Sequence, residues 1–230
     1  STTFTLLALY GAILLYDRHS VGAAIVTGLG IGLAVASKFS ALPVIFAPII
    51  AGYLATRHYQ MPNPKSESQI SDAHSPTAHS VLPTSSSFST RMIGLALLSL
   101  LIAFLVFAIT SPFVLLDFEN FKQAVIDEQG NMVSGVADFP FTRQYRHTLP
   151  YVYFIWQQLR WGMGWPLGLL ALAGLGWVVA KAVRGKAQPG EWITLCWIIF
   201  YFGPTGLFLA KFMRYMVPVV PLFTLFGAGL

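Results

Sequence analysis

A series of apolar runs, separated by short polar joints, constrains this chain more than any other feature of its sequence. Hydrophobic residues make up 55% of its 230 residues and charged residues only 10%, whereas soluble domains carry roughly 25% charged residues. Helices of such composition cross a hydrocarbon core of roughly 30 Å. The runs cover residues 4–16, 21–37, 39–56, 92–110, 165–180, 192–210 and 215–230. The sequence therefore predicts an all-α, polytopic transmembrane helical bundle of about seven spans and argues against a soluble enzyme.

The polar segments divide the chain into five parts. Residues 1–56 and 161–230 are predicted to form transmembrane helices, and residues 92–110 form one more. Residues 57–91 are rich in Ser, Thr, Pro and His and contain little that could be buried, which predicts a disordered cytoplasmic loop. Residues 111–160 mix acids, aromatic residues and turn formers, and they are predicted to form an outer loop.

The outer loop carries the pattern of an interfacial helix followed by an aromatic belt. Phe118, Phe121 and Val125 recur at i, i+3 and i+7, which places them on one face of a helix. Such a helix is predicted to lie in the plane of the membrane interface. The aromatic residues between positions 151 and 161 resemble the belt that anchors membrane proteins at that depth.

Glycines at GxxxG spacing occur twice. Gly28 and Gly32 lie within the second run, and Gly164 and Gly168 lie at the start of the fifth. A dinucleotide loop would need GxGxxG spacing, which is absent here. The spacing instead favours close packing of helices.

The basic residues are spread singly between the apolar runs. The net charge is +5, but there is no continuous basic stripe of the kind that binds nucleic acid. The 14 Lys and Arg residues divide equally between the two sides of the predicted membrane, so the positive-inside rule alone does not orient the chain. Five acids lie within residues 111–150 and make that loop net negative, which favours an outer position for it.

Three cations are predicted at helix ends on this outer face, against the usual bias. They are Lys38, Lys211 and Arg214. An anionic ligand such as a lipid phosphate would explain them, because Lys and Arg form charge-assisted bonds with phosphate oxygens. The alternative is that these side chains snorkel from the membrane to water.

The outer loop also combines groups that bind sugars. Carboxylates and amides hydrogen-bond hydroxyl groups, and aromatic faces cover the apolar side of a pyranose. The candidates are Glu128, Asp138, Arg143, Gln144 and Tyr145. On composition alone the structural interpretation is favoured, in which the same residues fasten the loop to the bundle. No catalytic triad, P-loop or metal-ligand cluster accompanies them, and the single Cys196 permits no disulfide within the chain.

Several stretches resemble the phospholipid carrier-dependent glycosyltransferases, which include bacterial relatives of protein O-mannosyltransferases and aminoarabinose transferases. The resemblance is carried by their order along most of the chain rather than by any one of them. The stretches are GLGIGLAVASKFSALP at 28–43, SPF at 111–113, Asp117-Phe118, FPFTRQY at 139–145, TLPY at 148–151, WGMG at 161–164, PLG at 166–168 and KFMRYMVP at 211–218.

This resemblance implies the GT-C membrane fold and the transfer of a sugar from a polyprenyl-phosphate donor, with inversion, at the outer face. It implies a bacterial cytoplasmic (inner) membrane protein, an acceptor that is a protein, lipid or glycan, and no cofactor besides the lipid-linked sugar donor, and it leaves metal dependence open. Lys38, Lys211, Arg214 and Tyr215 would contact the donor. The family's catalytic aspartate lies in an earlier outer loop, so the base is expected upstream of Ser1 in a longer protein, and no acid of this chain is assigned that role.

Two other classes compete with the enzyme. A transporter or flippase of a lipid-linked saccharide would also bind an amphiphile with an anionic head, but it predicts polar midplane residues or repeated broken helices. The sequence shows few charges within the runs and no clear internal repeat. A scaffold without a ligand predicts that residues 111–150 can be replaced by a neutral linker without loss of function.

Overall fold

A computed structural model describes residues 1–60 and 85–230, and within these ranges it contains helices and connecting segments but no strand. The helices are α1 Thr2–Arg18, α2 Val21–Ser37, α3 Phe46–Gln60, α4 Ser85–Thr110, α5 Pro112–Leu116, α6 Phe118–Lys122, α7 Gln129–Ser134, α8 Val152–Gln157, α9 Trp165–Val183, α10 Pro189–Gly206 and α11 Val220–Ala228. Tighter 3-10 turns cover Phe39–Ile45, Pro140–Tyr145 and Met213–Tyr215, and wider π-helical turns cover Gln123–Glu128 and Gln158–Gly162. The predicted all-helical class is confirmed for the described residues.

Each predicted apolar run contains a helix, but the helices differ in their fitness to cross a membrane. Among the described residues, Phe39–Tyr59, Ser86–Thr110 and Trp165–Val183 are long and apolar enough to span one. Val21–Ser37 is also apolar but shorter. A membrane protein with three candidate spanning helices is thus the supported description.

The polar segment between α3 and α4 is partly helical. Helix α3 continues to Gln60 and α4 begins at Ser85, so both extend into residues 57–91, for which the sequence predicts no fold. The remainder of that predicted loop, residues 61–84, lies outside the described residues.

Helices α1, α2 and α4 pack closely because α2 presents glycines to both neighbours. A Cβ atom on Gly30 would lie 2.5 Å from the backbone nitrogen of Ala8 in α1. On Gly28 and Gly32 it would lie 2.6 and 2.7 Å from backbone carbonyl oxygens of α4. The close packing predicted from the first GxxxG pair is therefore confirmed, since helix backbones approach this closely only over residues without side chains.

The second GxxxG pair serves two different purposes. Gly168 faces Leu159, whose Cδ2 would lie 2.6 Å from an added Cβ. Gly164 precedes α9 as its N-cap, with a φ of 74° and open space around it. The prediction of close helix packing is therefore wrong for Gly164, where the requirement is a left-handed backbone that permits the chain to turn into α9.

The α1–α2 connection is a tight hairpin, as the sequence predicts. His19 ends α1 in the left-handed conformation, and the Ser20 hydroxyl accepts a hydrogen bond from the backbone N–H of Ala23 at 3.3 Å. Arg91 of α4 donates to the His19 carbonyl at 3.0 Å. These bonds satisfy helix ends that would otherwise lack partners, and they bring the N-terminal part of α4 to the hairpin end of the bundle.

The opposite end of the bundle collects segments that are distant in sequence. The turn after α2, the helical loop 118–134 and the connection between α10 and α11 meet there around one cavity. We call this the loop end. Alternation of the helices up and down the bundle thus brings residues 38–40, 125–133 and 201–215 together.

A helix forms at the position predicted for an interfacial one, but with an interruption. Helices α6 and α7 are joined by the π-helical turn Gln123–Glu128, which changes the register of side chains along the axis. Phe121 packs edge-on against Phe39, with ring centroids 5.3 Å apart, and Val125 lines the cavity. Phe118 is exposed. Nearby, Phe113 and Leu116 of α5 are 76% and 79% exposed, which suits burial in a membrane interface.

Candidate functional site

The loop end contains a cavity of about 650 Å³, within the size range of ligand pockets. Its walls come from the turn after α2, the last turns of α10, the Met213–Tyr215 turn and one side of the helical loop above. The lining residues are Lys38, Phe39, Ser40, Val125, Ile126, Gln129, Gly130, Val133, Tyr201, Thr205, Phe208, Arg214 and Tyr215.

Two cations enter this cavity beside the same aromatic ring. The Lys38 Nζ lies 4.9 Å from the ring centroid of Tyr215, and the central guanidinium carbon of Arg214 lies 5.8 Å from it. Arg214 also lies 4.6 Å from the ring of Phe212. Cation–π contacts of this kind hold a charge in place without neutralising it.

The positive charge of the cavity is not balanced by an acid. No Asp or Glu is among its lining residues. Burial, and then the charge of Arg214, lower the pKa of Lys38 below its ordinary value. Because this shift opposes the charged form of Lys38, an anion between Lys38 and Arg214 would offset it by attracting both cations.

Tyr215 is the fixed element between the cations. It is only 6% exposed. Its carbonyl accepts a hydrogen bond from the Tyr201 hydroxyl at 2.9 Å, and its own hydroxyl accepts one from the Gln129 amide at 3.2 Å. The Tyr201 ring in turn stacks on Trp197, with centroids 5.0 Å apart. The ring that both cations contact is therefore held from below by α10 and from above by the loop.

Most of the remaining cavity wall is apolar. Val125, Ile126 and Val133 come from the helical loop, and Phe39 and Phe208 come from the connections below it. A cavity with two cations in an otherwise mostly apolar wall fits an amphiphile that has an anionic head.

The helical loop covers the cavity and is tied to the bundle at three places. These are the Phe39–Phe121 ring contact, the Gln129–Tyr215 hydrogen bond and a 2.7 Å bond from the Leu209 N–H to the Val133 carbonyl. Gly135 ends α7 with a φ of 83°, so the chain turns back directly after this last tie.

Lys211, the third cation predicted to meet an anion, does not line the cavity. Its side chain is buried, with the residue only 3% exposed, and its Nζ has a carbonyl acceptor at 3.5 Å, that of Leu209. No carboxylate among the described residues lies within 4 Å of it. Burial lowers the pKa of Lys211 below its ordinary value.

We expect Lys211→Met to raise the free energy of unfolding by about 1–2 kcal/mol, because it replaces a buried, weakly partnered cation with an apolar chain of similar shape. In the unmodified protein the folded state binds fewer protons than the unfolded chain, so stability should rise with pH as the ordinary lysine pKa is approached from below. The variant should show a smaller rise. Denaturation at several alkaline pH values measures both effects. A loss of stability in Lys211→Met would show instead that the ammonium has a strong partner.

The predicted sugar-binding residues Asp138 and Arg143 bind each other. The Arg143 Nε donates a hydrogen bond to Oδ1 of Asp138 at 3.1 Å, and its Nη2 donates one to Oδ2 at 2.9 Å. Arg146 forms an ion pair with the same carboxylate at 2.8 Å. The hydrogen bond from Arg143 lowers the pKa of Asp138. Gln144 donates to the Phe141 carbonyl at 2.9 Å. In this structure these groups shape the turn around Pro140–Tyr145.

Tyr145 connects this turn to the cavity wall. It is buried, and its ring packs edge-on against Phe212 at 5.5 Å and Tyr153 at 5.7 Å. Burial raises the pKa of its hydroxyl. Tyr145 therefore supports Phe212, which Arg214 contacts, and does not itself line the cavity.

Glu128 lies on the other side of the helical loop, in a more polar cleft of about 540 Å³. Its neighbours there are Gln123, Asp127, Asn131, Ala137 and Phe139. The loop thus separates this acidic cleft from the cationic cavity. Among the described residues, no group of three or more His, Cys, Asp or Glu side chains is arranged to hold a metal ion.

Ten of the thirteen lining residues are not among the site residues predicted from the sequence, and four of these ten show why. Tyr201 and Thr205 belong to an apolar run, Gln129 stands beside the more conspicuous acids, and Phe208 follows α10. For Tyr201 the sequence offers one indication, since a tyrosine buried in an apolar run requires a hydrogen-bond partner for its hydroxyl. The partner itself, the carbonyl of Tyr215, is set by the fold.

The chain was compared with protein-family models, curated proteins and solved structures, and none of them matches it. The chemistry of the site therefore follows from its own residues, cavity and charge.

Proposed function

We propose that this chain is the membrane-embedded part of a glycosyltransferase of the GT-C type, with seven spans, that takes a sugar from a polyprenyl-phosphate carrier. The observation that carries the proposal is the convergence of Lys38 and Arg214 on one cavity that lacks an acid and is otherwise mostly apolar. The cations would hold the carrier phosphate and the apolar wall would hold the first part of the lipid.

Snorkelling accounts less well for Lys38, which is half-buried, than for Arg214, which is exposed. A snorkelling side chain extends its charge into water and keeps only its stem on apolar surface. Lys38 instead directs its ammonium to a ring that is itself buried, and burial is the first cause of its lowered pKa. An anionic ligand supplies the missing counter-charge.

In the proposed reaction, an acceptor hydroxyl or amine attacks the anomeric carbon as the bond from that carbon to the phosphate oxygen breaks. The electron pair of the broken bond leaves with the carrier phosphate, and the acceptor proton passes to a general base. Negative charge on the leaving phosphate grows along this path, so fixed cations beside it stabilise the transition state. That role falls to Lys38 and Arg214.

The proposed setting is a bacterial inner membrane, with the loop end facing outward. The acceptor is a protein, lipid or glycan that approaches from that face. The acidic cleft above the helical loop, which contains Glu128, lies on the side from which such an acceptor would arrive.

The test uses the full-length protein reconstituted in vesicles. Radiolabelled polyprenyl-phosphate mannose and polyprenyl-phosphate aminoarabinose are supplied separately with membrane extract as a source of acceptors. Transfer of label to an acceptor, together with release of free polyprenyl phosphate, is the expected result for one of these donors. Movement of the intact donor across the bilayer without cleavage would support the transporter instead. Neither transfer nor movement, with no binding of either donor, would contradict the proposal.

A further inference from the structure

The charge of the cavity matches one of the two forms of a lipid carrier better than the other. A carrier that bears a sugar is a phosphodiester with a single negative charge. The spent carrier is a phosphate monoester, which carries close to two negative charges above a second pKa of about 6. The cavity presents two cations, Lys38 and Arg214, and no acid.

We infer that this cavity binds the spent lipid phosphate, as a dianion, more tightly than the sugar-bearing phosphodiester, so that the released carrier inhibits the transferase until it is removed. This inference rests on the proposed function. It adds a regulatory consequence, which is that the transfer rate depends on whichever reaction recharges or withdraws the lipid phosphate.

The positions of the two cations favour a ligand with two negative charges. Both cations contact Tyr215, which is held by Tyr201 and Gln129. The cations therefore lie close enough together for Arg214 to affect Lys38 electrostatically. A diester can neutralise one of them, and its second substituent occupies an oxygen that would otherwise accept a bond. A monoester offers three oxygens and a second charge.

The pH dependence of this preference is expected to come from titration of the phosphate monoester rather than of the cavity residues. The titratable groups that face the cavity are Lys38, Arg214, Tyr201 and Tyr215, and the lining contains no His, Asp or Glu. The ordinary pKa values of these four residue types all lie well above 6. The preference for the monoester should therefore be full above about pH 7 and should shrink as the pH falls below about 6, where the free ligand gains its proton.

The experiment compares two probes that differ only in charge and one methyl group. They are undecaprenyl phosphate and its monomethyl ester, titrated separately onto the full-length protein in nanodiscs at about pH 8 and about pH 5. At the higher pH the monoester should bind about tenfold more tightly than the methyl ester, the size of one additional charge-assisted bond. At the lower pH the two affinities should approach each other.

A variant separates this effect from general lipid binding. Arg214→Gln should lose most of the difference between the probes at high pH while it still binds both, because one cation remains. Arg184→Gln, a change in the exposed loop between α9 and α10, should keep the difference.

The outcomes distinguish the two proposals. If both probes bind equally at high pH, the inference of product inhibition is overturned and the proposed function stands. If neither probe binds at either pH, the proposed function fails, and this inference fails with it. A preference that is equally large at both pH values would contradict the dianion as its cause.

Discussion

Arg214→Gln should lower the rate of sugar transfer by about 10²- to 10³-fold, the effect expected when one preorganised group is removed from the charge that develops in a transition state. Arg214 enters the cavity beside Tyr215, and no acid lines that cavity. Glutamine keeps part of the polar shape but carries no charge. The rate of label transfer from the donor, measured at saturating donor concentration in the reconstituted full-length protein, reports the effect.

Lys38→Gln should give a loss of similar size, for the same reason. Because both cations are proposed to act on one phosphate, the double variant should lose less than the product of the two single losses. Arg184→Gln is the matched control, since it removes an arginine from a loop distant from the cavity and should transfer at the normal rate. Normal transfer by both Arg214→Gln and Lys38→Gln would contradict the proposed phosphate contact and would support snorkelling for both side chains.

Gly30→Ala should have the largest effect on stability, a loss of about 1–3 kcal/mol or more. The new Cβ would lie 2.5 and 2.7 Å from the Ala8 backbone nitrogen and Cα. A backbone cannot rotate away as a flexible side chain can, so α1 and α2 must separate. The separation also loosens the contact with α4 on the other side of α2.

Gly22→Ala is the control on the same helix. Nothing lies within 4 Å of a Cβ at that position, and alanine is a better helix former than glycine by about 1 kcal/mol in a helix interior. This variant should be unchanged or slightly more stable. Denaturation of the purified full-length proteins in mixed micelles, followed by far-UV circular dichroism, measures the free energy of unfolding of both. Equal stability of the two variants would show that α1 and α2 are less closely packed than in this structure.

Much of the helical framework is predictable because its signals are local. The apolar run at Val21–Ser37 is bounded by Ser20 and Lys38, and both limits agree with α2. Gly28 and Gly32 indicate close packing without indicating the partner. The π-helical turn Gln123–Glu128 has no comparable sequence signal, and it lies between two residues that contact the bundle, Phe121 and Val133.

The candidate site is predictable in part. Among the cations selected from the sequence, Lys38 and Arg214 share a cavity, whereas Lys211 is buried elsewhere. Lys211 and Arg214 are near neighbours in the chain, so no count of charges at helix ends could separate their roles. The direction of each side chain is decided by the Met213–Tyr215 turn and by the packing of Phe212 against Tyr145.

The sequence by itself determined that this protein is helical and apolar, which apolar runs contain its long helices, and which few cations stand near their ends. These properties depend on neighbours a few residues away, because hydropathy and helix formation are local. The tertiary structure alone decided that Lys38 and Arg214 meet at Tyr215, that Asp138 is neutralised by Arg143 and Arg146, and that Glu128 faces away from the cationic cavity. Those relations join segments far apart in the chain, and they arise only when the helices pack and bring their ends together.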